Sequence, residues 1–186
     1  MLSNSYLGEN RNMKKILLIN GSNRIGNTNY ILKNINENIK NSELVSLKEK
    51  NIEYCRGCLA CHKIDRCVIN DDINEIITKI IDSDLIIFGV PNYFDNVSGL
   101  FKNFMDRLHP LYKSELIADK KIIFIYVGGG GEDGTMTELH QSVSGFIKYL
   151  KLNLIKEYSF KALVHNDIIN QKEKVQKMIE EIKCLD

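Results

Sequence analysis

Lys14-Lys15-Ile16-Leu17-Leu18-Ile19-Asn20-Gly21-Ser22-Asn23-Arg24-Ile25-Gly26-Asn27-Thr28 is the stretch that decides the fold. The apolar run Ile16, Leu17, Leu18, Ile19 is too short for an independent helix. Bounded by turn residues, it fits a strand buried on both faces. Asn20-Gly21 stops the run. A polar loop follows, and then Ile31, Leu32, Ile35 and Ile39 recur on one side of a helix. The unit reads as strand, tight loop, helix.

The first turn of such a helix leaves backbone N–H groups without partners and carries the positive end of the macrodipole. Gly21 and Gly26 remove side chains where the chain turns or an anion comes close. Ser22, Asn23, Asn27 and Thr28 add donors, and Arg24 adds a full positive charge. These residues fit a phosphate cradle. They also fit a capped turn with no ligand, and a short glycine motif does not separate the two.

A chain of 186 residues fits one domain with a full core. The net charge of +1 gives no pull toward nucleic acid or an anionic membrane. No apolar stretch approaches the roughly 20 residues of a membrane span. Residues 1–12 are polar, unlike a secretory signal. They are expected to form a flexible extension, with Met13 as an alternative start and residues 13–186 as the domain. A cytoplasmic location is expected. Five cysteines then point to metal, redox or catalytic roles rather than disulfides.

Strands and helices alternate along the rest of the chain. Residues 43–47, 84–90 and 121–127 read as strands, with a weaker strand within 154–163. Helical faces are carried by Ile73, Ile76, Ile77, Ile80 and Ile81, with Asp71 or Asp72 as the cap, by residues 99–108, by Met136, Leu139, Val143 and Phe146, and by Val175, Met178, Ile179 and Ile182. Residues 91–98 read as a loop. Five βα units imply an α/β fold, a three-layer sandwich with helices on both faces of a parallel sheet. With the flavodoxin-like strand order 2-1-3-4-5, ligands bind beyond the carboxyl ends of the strands. The loops at 21–28, 91–98 and 128–134 share that edge and are the richest in Gly, Asn and Ser.

Pro91-Asn92-Tyr93-Phe94-Asp95-Asn96-Val97-Ser98-Gly99 has the parts an isoalloxazine ring needs. Tyr93 and Phe94 offer flat apolar faces, and Asn92 and Asn96 offer amides for a heterocycle edge. Either aromatic alone reads as ordinary cover for the sheet edge. The chain here resembles the NADPH-dependent FMN reductase family, through Gly21-Ser22-x-Arg24-x-Gly26-Asn27-Thr28, Pro91-x-Tyr93-x-x-Asn96-x-Ser98-Gly99 and Phe104-x-Asp106-Arg107. The resemblance implies FMN, with its phosphate on Ser22, Arg24, Gly26, Asn27 and Thr28. It places the ring against Pro91, Asn92, Tyr93, Phe94 and Asn96, with the 128–131 loop, including Gly128 and Gly129, on the far side. It implies NAD(P)H as electron donor, an unidentified small-molecule or protein acceptor, and a homodimer or higher homo-oligomer. Asp106 and Arg107 read as structural, in an ion pair or helix cap. The flavin carries the chemistry, so no catalytic side chain is named.

Cys55-x-x-Cys58-x-x-Cys61-x5-Cys67 leaves several readings open. Three cysteines at this spacing start a ferredoxin-type run. The spacing resembles the cluster motif of iron–sulfur flavoproteins, a branch of the same fold. That resemblance implies a [4Fe–4S] cluster on Cys55, Cys58, Cys61 and Cys67. The alternatives are zinc, with His62 as a substitute ligand, a redox dithiol, or plain buried cysteines without metal. The run is expected at the same carboxyl edge as the flavin. His109, His140 and His165 show no partner spacing and read as helix-end or surface residues. Cys184 reads as incidental, and Glu132-Asp133 as a solvated turn.

Overall fold

The computed structural model describes residues 14–130 and 132–185, with no account of the side chains at 132–135. The expectations for residues 1–13, for Gly131 and for the Glu132 and Asp133 side chains lie outside the described residues. The order of elements is β1 (Ile16–Asn20), α1 (Asn27–Asn38), β2 (Ser42–Ser46), α2 (Cys61–Ile64), α3 (Ile73–Asp82), β3 (Leu85–Tyr93), β4 (Asn96–Val97), α4 (Gly99–Arg107), β5 (Lys121–Gly128), α5 (Glu132–Tyr149), β6 (Asn153–Lys161) and α6 (Lys172–Lys183).

The parallel strands lie in the order β2-β1-β3-β5-β6, which is the expected 2-1-3-4-5 once the hairpin strand β4 is set aside. Every residue of β1 is buried, because helices cover both faces of the sheet. Alternation along the strand sends Leu17 and Ile19 into one core, with Ile76 of α3, Phe104 of α4 and Val143 of α5. Ile16 and Leu18 enter the other, with Ile31 of α1 and Ile179 of α6. Among the described residues no helix is long and apolar enough to cross a membrane.

Two expectations need correction. β3 runs on through Pro91 to Tyr93, where a loop is expected. β1 ends at Asn20 opposite Gly89, so Pro91 meets only β5, at Val127, and its missing N–H costs no ladder bond on the β1 side. The chain then turns back through Phe94 and Asp95, both at positive φ, and β4 pairs antiparallel with β3. Second, the cysteine run, which the sequence presents as a loop between the second strand and the next helix, contains a short helix, α2, none of whose residues is buried.

Candidate functional site

The carboxyl edge of the sheet is assembled by main-chain contacts. Gly21 N–H donates to the Gly89 carbonyl at 2.9 Å. A Cβ on Gly21 would stand 2.8 Å from Phe101 Cδ2 and 3.1 Å from the Gly89 carbonyl oxygen, so only glycine fits where β1 leaves the sheet. Ser98 Oγ donates to the Gly21 carbonyl at 2.7 Å and accepts from Phe101 N–H at 3.1 Å, capping α4. One buried hydroxyl thereby ties the loop after β1 to the loop after β3.

These loops enclose a cavity of about 210 Å³. Its lining includes Ser22, Arg24 and Gly26 from the first loop, Asn27 and Thr28 at the start of α1, Pro91, Asn92 and Tyr93 from β3, and Gly128 and Gly129 at the end of β5. Ten of the sequence-derived site residues therefore meet at one place. The other two do not. Phe94 is fully exposed at the hairpin tip, and Asn96 is exposed, its Oδ1 accepting from Val97 N–H at 2.8 Å. Neither lines the cavity.

The cavity is open where an anion would sit. α1 starts at Gly26 without a side-chain cap, and its first intrahelical bond is Tyr30 N–H to the Gly26 carbonyl at 2.9 Å. The N–H groups of its first turn have no helical acceptor. Thr28 is 3% exposed, and its hydroxyl has no partner among the described residues. Its methyl faces Gly89, where an added Cβ would stand 2.9 Å away. Arg24 pairs with no carboxylate among the described residues. Asn27 differs from expectation. Its side chain donates to the Val164 carbonyl at 2.8 Å and accepts from Ile168 N–H at 3.3 Å, so it pins the loop after β6. That loop supplies Ala162, Leu163 and His165 to the lining; nothing in the sequence marks the first two, and His165 reads there only as a surface or helix-end residue. Asp167 holds it by accepting from Leu163 N–H and Val164 N–H, each at 2.8 Å. The donor set fits a phosphate monoester, and the glycine-lined wall fits a flat ring. The volume lies below the roughly 300–1,000 Å³ of ligand pockets, so this chain alone would not fully enclose a flavin.

The cysteine loop is built separately. Arg107, with a side chain only 1% exposed, gathers its neck. The guanidinium donates to Asp71 at 2.6 and 2.9 Å, to the Glu53 carbonyl at 2.5 Å and to Cys67 Sγ at 3.3 Å. Asp71 also accepts from Glu53 N–H at 2.9 Å and Ile73 N–H at 3.2 Å. Burial alone would raise the Asp71 carboxyl, but these hydrogen bonds and the guanidinium charge hold it below its ordinary value. Asp72 accepts from Asn51 N–H at 2.7 Å, so both acidic residues close the neck, and the side chain of Asp72 does not cap α3. Asp106 pairs with Lys102 at 2.5 Å on the surface.

Beyond this neck the loop packs little. Cys55 and Cys58 are exposed, and Cys61 and Cys67 half-buried. The Cys61 thiol is pushed up chiefly by burial, is lowered by a backbone hydrogen bond, and is raised further by Cys67, Cys58 and Cys55. Four free cysteines on one loop supply the donor chemistry of a shared soft centre. Cys61 Sγ also lies 3.7 Å from His109 Nδ1, and His62 Nε2 lies 2.8 Å from the same nitrogen. The expectation that the run shares the edge with the cavity is corrected here. Its partners Arg107 and His109 stand at the C-terminal end of α4, whereas Ser98 and the cavity stand at its N-terminal end. Nine residues of helix, about 13 Å at 1.5 Å per residue, lie between.

The family described as NADPH-dependent FMN reductase matches residues 14–166. An iron–sulfur flavoprotein of Archaeoglobus fulgidus is 42% identical over 97 residues, covering 50% of this chain and 48% of that protein. The match therefore spans about half the length of that relative. An iron–sulfur flavoprotein of Methanocaldococcus jannaschii is 35% identical over 134 residues, 68% of this chain and 69% of that one. Among solved structures, a flavone reductase superposes with a TM-score of 0.67 at 22% identity, over 89% of this chain and 59% of that one, a likeness of fold.

Proposed function

The chain belongs to the NADPH-dependent FMN reductase family, and from that premise we propose that it is an FMN-dependent oxidoreductase fed by NAD(P)H. The observation that carries this reading is the uncapped start of α1 opening, with Arg24 and Thr28, onto a cavity that the backbone at residues 91–93 and 128–129 also lines. The residues proposed to hold the FMN phosphate are the Thr28 hydroxyl, the Arg24 guanidinium and the first-turn N–H groups. Those proposed to bound the ring are Pro91, Asn92 and Tyr93 on one side and Gly128 and Gly129 on the other. When bound, FMN supplies hydride acceptance and onward delivery of one or two electrons. The protein's part is to hold the flavin and leave a ring face open to donor and acceptor. Exposed Ile25, Phe94, Leu163 and Val164 lie on the cavity loops or beside them and support a homodimer that covers this edge.

The test is FMN titration of the apoprotein followed by NADPH oxidation. Stoichiometric binding, weakened in Arg24→Ala and Thr28→Ala, supports the reading. Unchanged affinity in both variants removes the phosphate from this cradle. A second reading rests on the four free cysteines of one loop and on the likeness to iron–sulfur flavoproteins: an electron carrier with a [4Fe–4S] cluster on Cys55, Cys58, Cys61 and Cys67. Anaerobic protein with about four irons and four sulfides per chain favours the carrier. Yellow, iron-free protein with rapid NADPH turnover favours the reductase.

A further inference from the structure

We propose that Cys61, His62 and His109 form a site for one zinc-class divalent cation in the cluster-free protein. Sγ of Cys61, Nε2 of His62 and Nδ1 of His109 all lie within 4.8 Å of one another, from residues 48 apart in sequence. Tetrahedral zinc with nitrogens near 2.05 Å and sulfur near 2.3 Å sets its S···N edges at about 3.6 Å and its N···N edge at about 3.3 Å. The Cys61–His109 edge is 3.7 Å and already fits. The His62–His109 edge is 2.8 Å, because one imidazole N–H donates to the other ring's nitrogen. A cation would replace that shared proton, and the edge must open by about half an ångström. His62 is exposed, so its ring can turn out of the present stack on His109, whose centroid is 4.6 Å away.

The scaffold holds two of the three ligands in place. His109 follows directly on α4, in the short turn His109–Leu111, and stacks on Tyr112 with centroids 5.5 Å apart. Cys61 opens α2, whose path is fixed by Asp65 N–H bonding the Cys61 carbonyl at 3.0 Å. One thiolate and two imidazoles are a borderline-soft set that suits zinc over magnesium or calcium. Three protein ligands leave a fourth position for water or an added ligand. Cys61 cannot serve this ion and a four-cysteine cluster together, so the two centres are alternative states of one loop. The proposal does not rest on flavin binding.

The experiment is a cobalt(II) titration, followed by zinc displacement, on full-length protein prepared without cluster, loaded with oxidised FMN and kept anaerobic with its thiols reduced. One cobalt per chain is expected, with a thiolate charge-transfer band and tetrahedral ligand-field bands. Loss of a ligand should cost at least what loss of an outer partner costs, about 10–100-fold, so His109→Ala and His62→Ala should each weaken cobalt by that factor or more. The double variant Cys55→Ser, Cys58→Ser should keep the spectrum, because neither residue is in the set. The proposal is overturned if the unaltered protein binds no cobalt, or if both histidine variants bind at full affinity while the double cysteine variant does not. Because His62 is exposed, its variant remains informative if His109→Ala misfolds. The FMN absorbance of the same samples reports the flavin site independently.

Discussion

At the scale of single residues, Thr28 and Gly21 separate binding from stability. Thr28 turns its methyl toward Gly89 and has no protein partner for its hydroxyl among the described residues. Thr28→Val keeps the packing and deletes only the hydroxyl. Loss of one charge-assisted hydrogen bond at about 1.5–3 kcal/mol should weaken FMN by about 10–150-fold. The apoprotein's melting temperature should stay within about a degree, and a larger drop would mark Thr28 as structural. Gly21→Ala should do the reverse. Its Cβ would stand 2.8 Å from Phe101 and 3.1 Å from a carbonyl oxygen that cannot retreat without opening the β1–β3 junction. Overpacking of this kind costs about 1–3 kcal/mol, or several degrees of melting temperature in a chain this long. Thermal unfolding of the apoprotein reads it directly.

At the scale of elements, the strands were legible because their apolar runs are continuous, and the cavity because Gly, Asn and Ser collect at three of the strand ends. The sequence hid what depends on partners distant along the chain. Pro91 reads as the start of a loop until β1 is seen to stop opposite Gly89. Leu163 and His165 carry no glycine or amide signature, and Asn27 brings their loop to the cavity from 137 residues away. Asp71 resembles a helix cap, and only the fold shows Arg107 beside it. That pair fastens the neck of the cysteine loop, with both side chains 1% exposed. Asp71→Asn leaves a buried guanidinium without its counter-charge and should cost about 3–5 kcal/mol. The Asp71 carboxyl is held low in the folded protein. Its contribution is therefore fully present above the unfolded carboxyl's value, about 3.9, and is lost as pH falls through the lower folded value. Urea unfolding should show stability falling below about pH 4 in the unaltered protein and a flatter acid limb in Asp71→Asn. An equally steep limb would assign the acid sensitivity to other carboxyls.

At the scale of the whole molecule, the cavity proposed for the flavin and the cysteine loop share one helix and no lining residue. Ser98 at the start of α4 holds the cavity loops, and Arg107 at its end holds the neck of the cysteine loop. The body of that loop adds little to the core. α2 buries no residue, and Cys55 and Cys58 are exposed. Substitution there should be felt by whatever the thiols hold and not by the sheet. Cys58→Ser and Cys61→Ser, made singly, should leave the FMN dissociation constant unchanged within about twofold, and the exposed Cys58 change should shift unfolding by less than about 0.5 kcal/mol, as surface changes do. On the reading that the thiols hold a cluster, either substitution should abolish its absorption in protein reconstituted anaerobically with iron and sulfide. A large loss of FMN affinity would show that the two ends of α4 are coupled, through the helix or through a neighbouring subunit that brings one chain's cysteine loop to another's cavity. Chain dilution separates these routes, because coupling through the helix is independent of concentration and coupling through a neighbour weakens as the assembly dissociates.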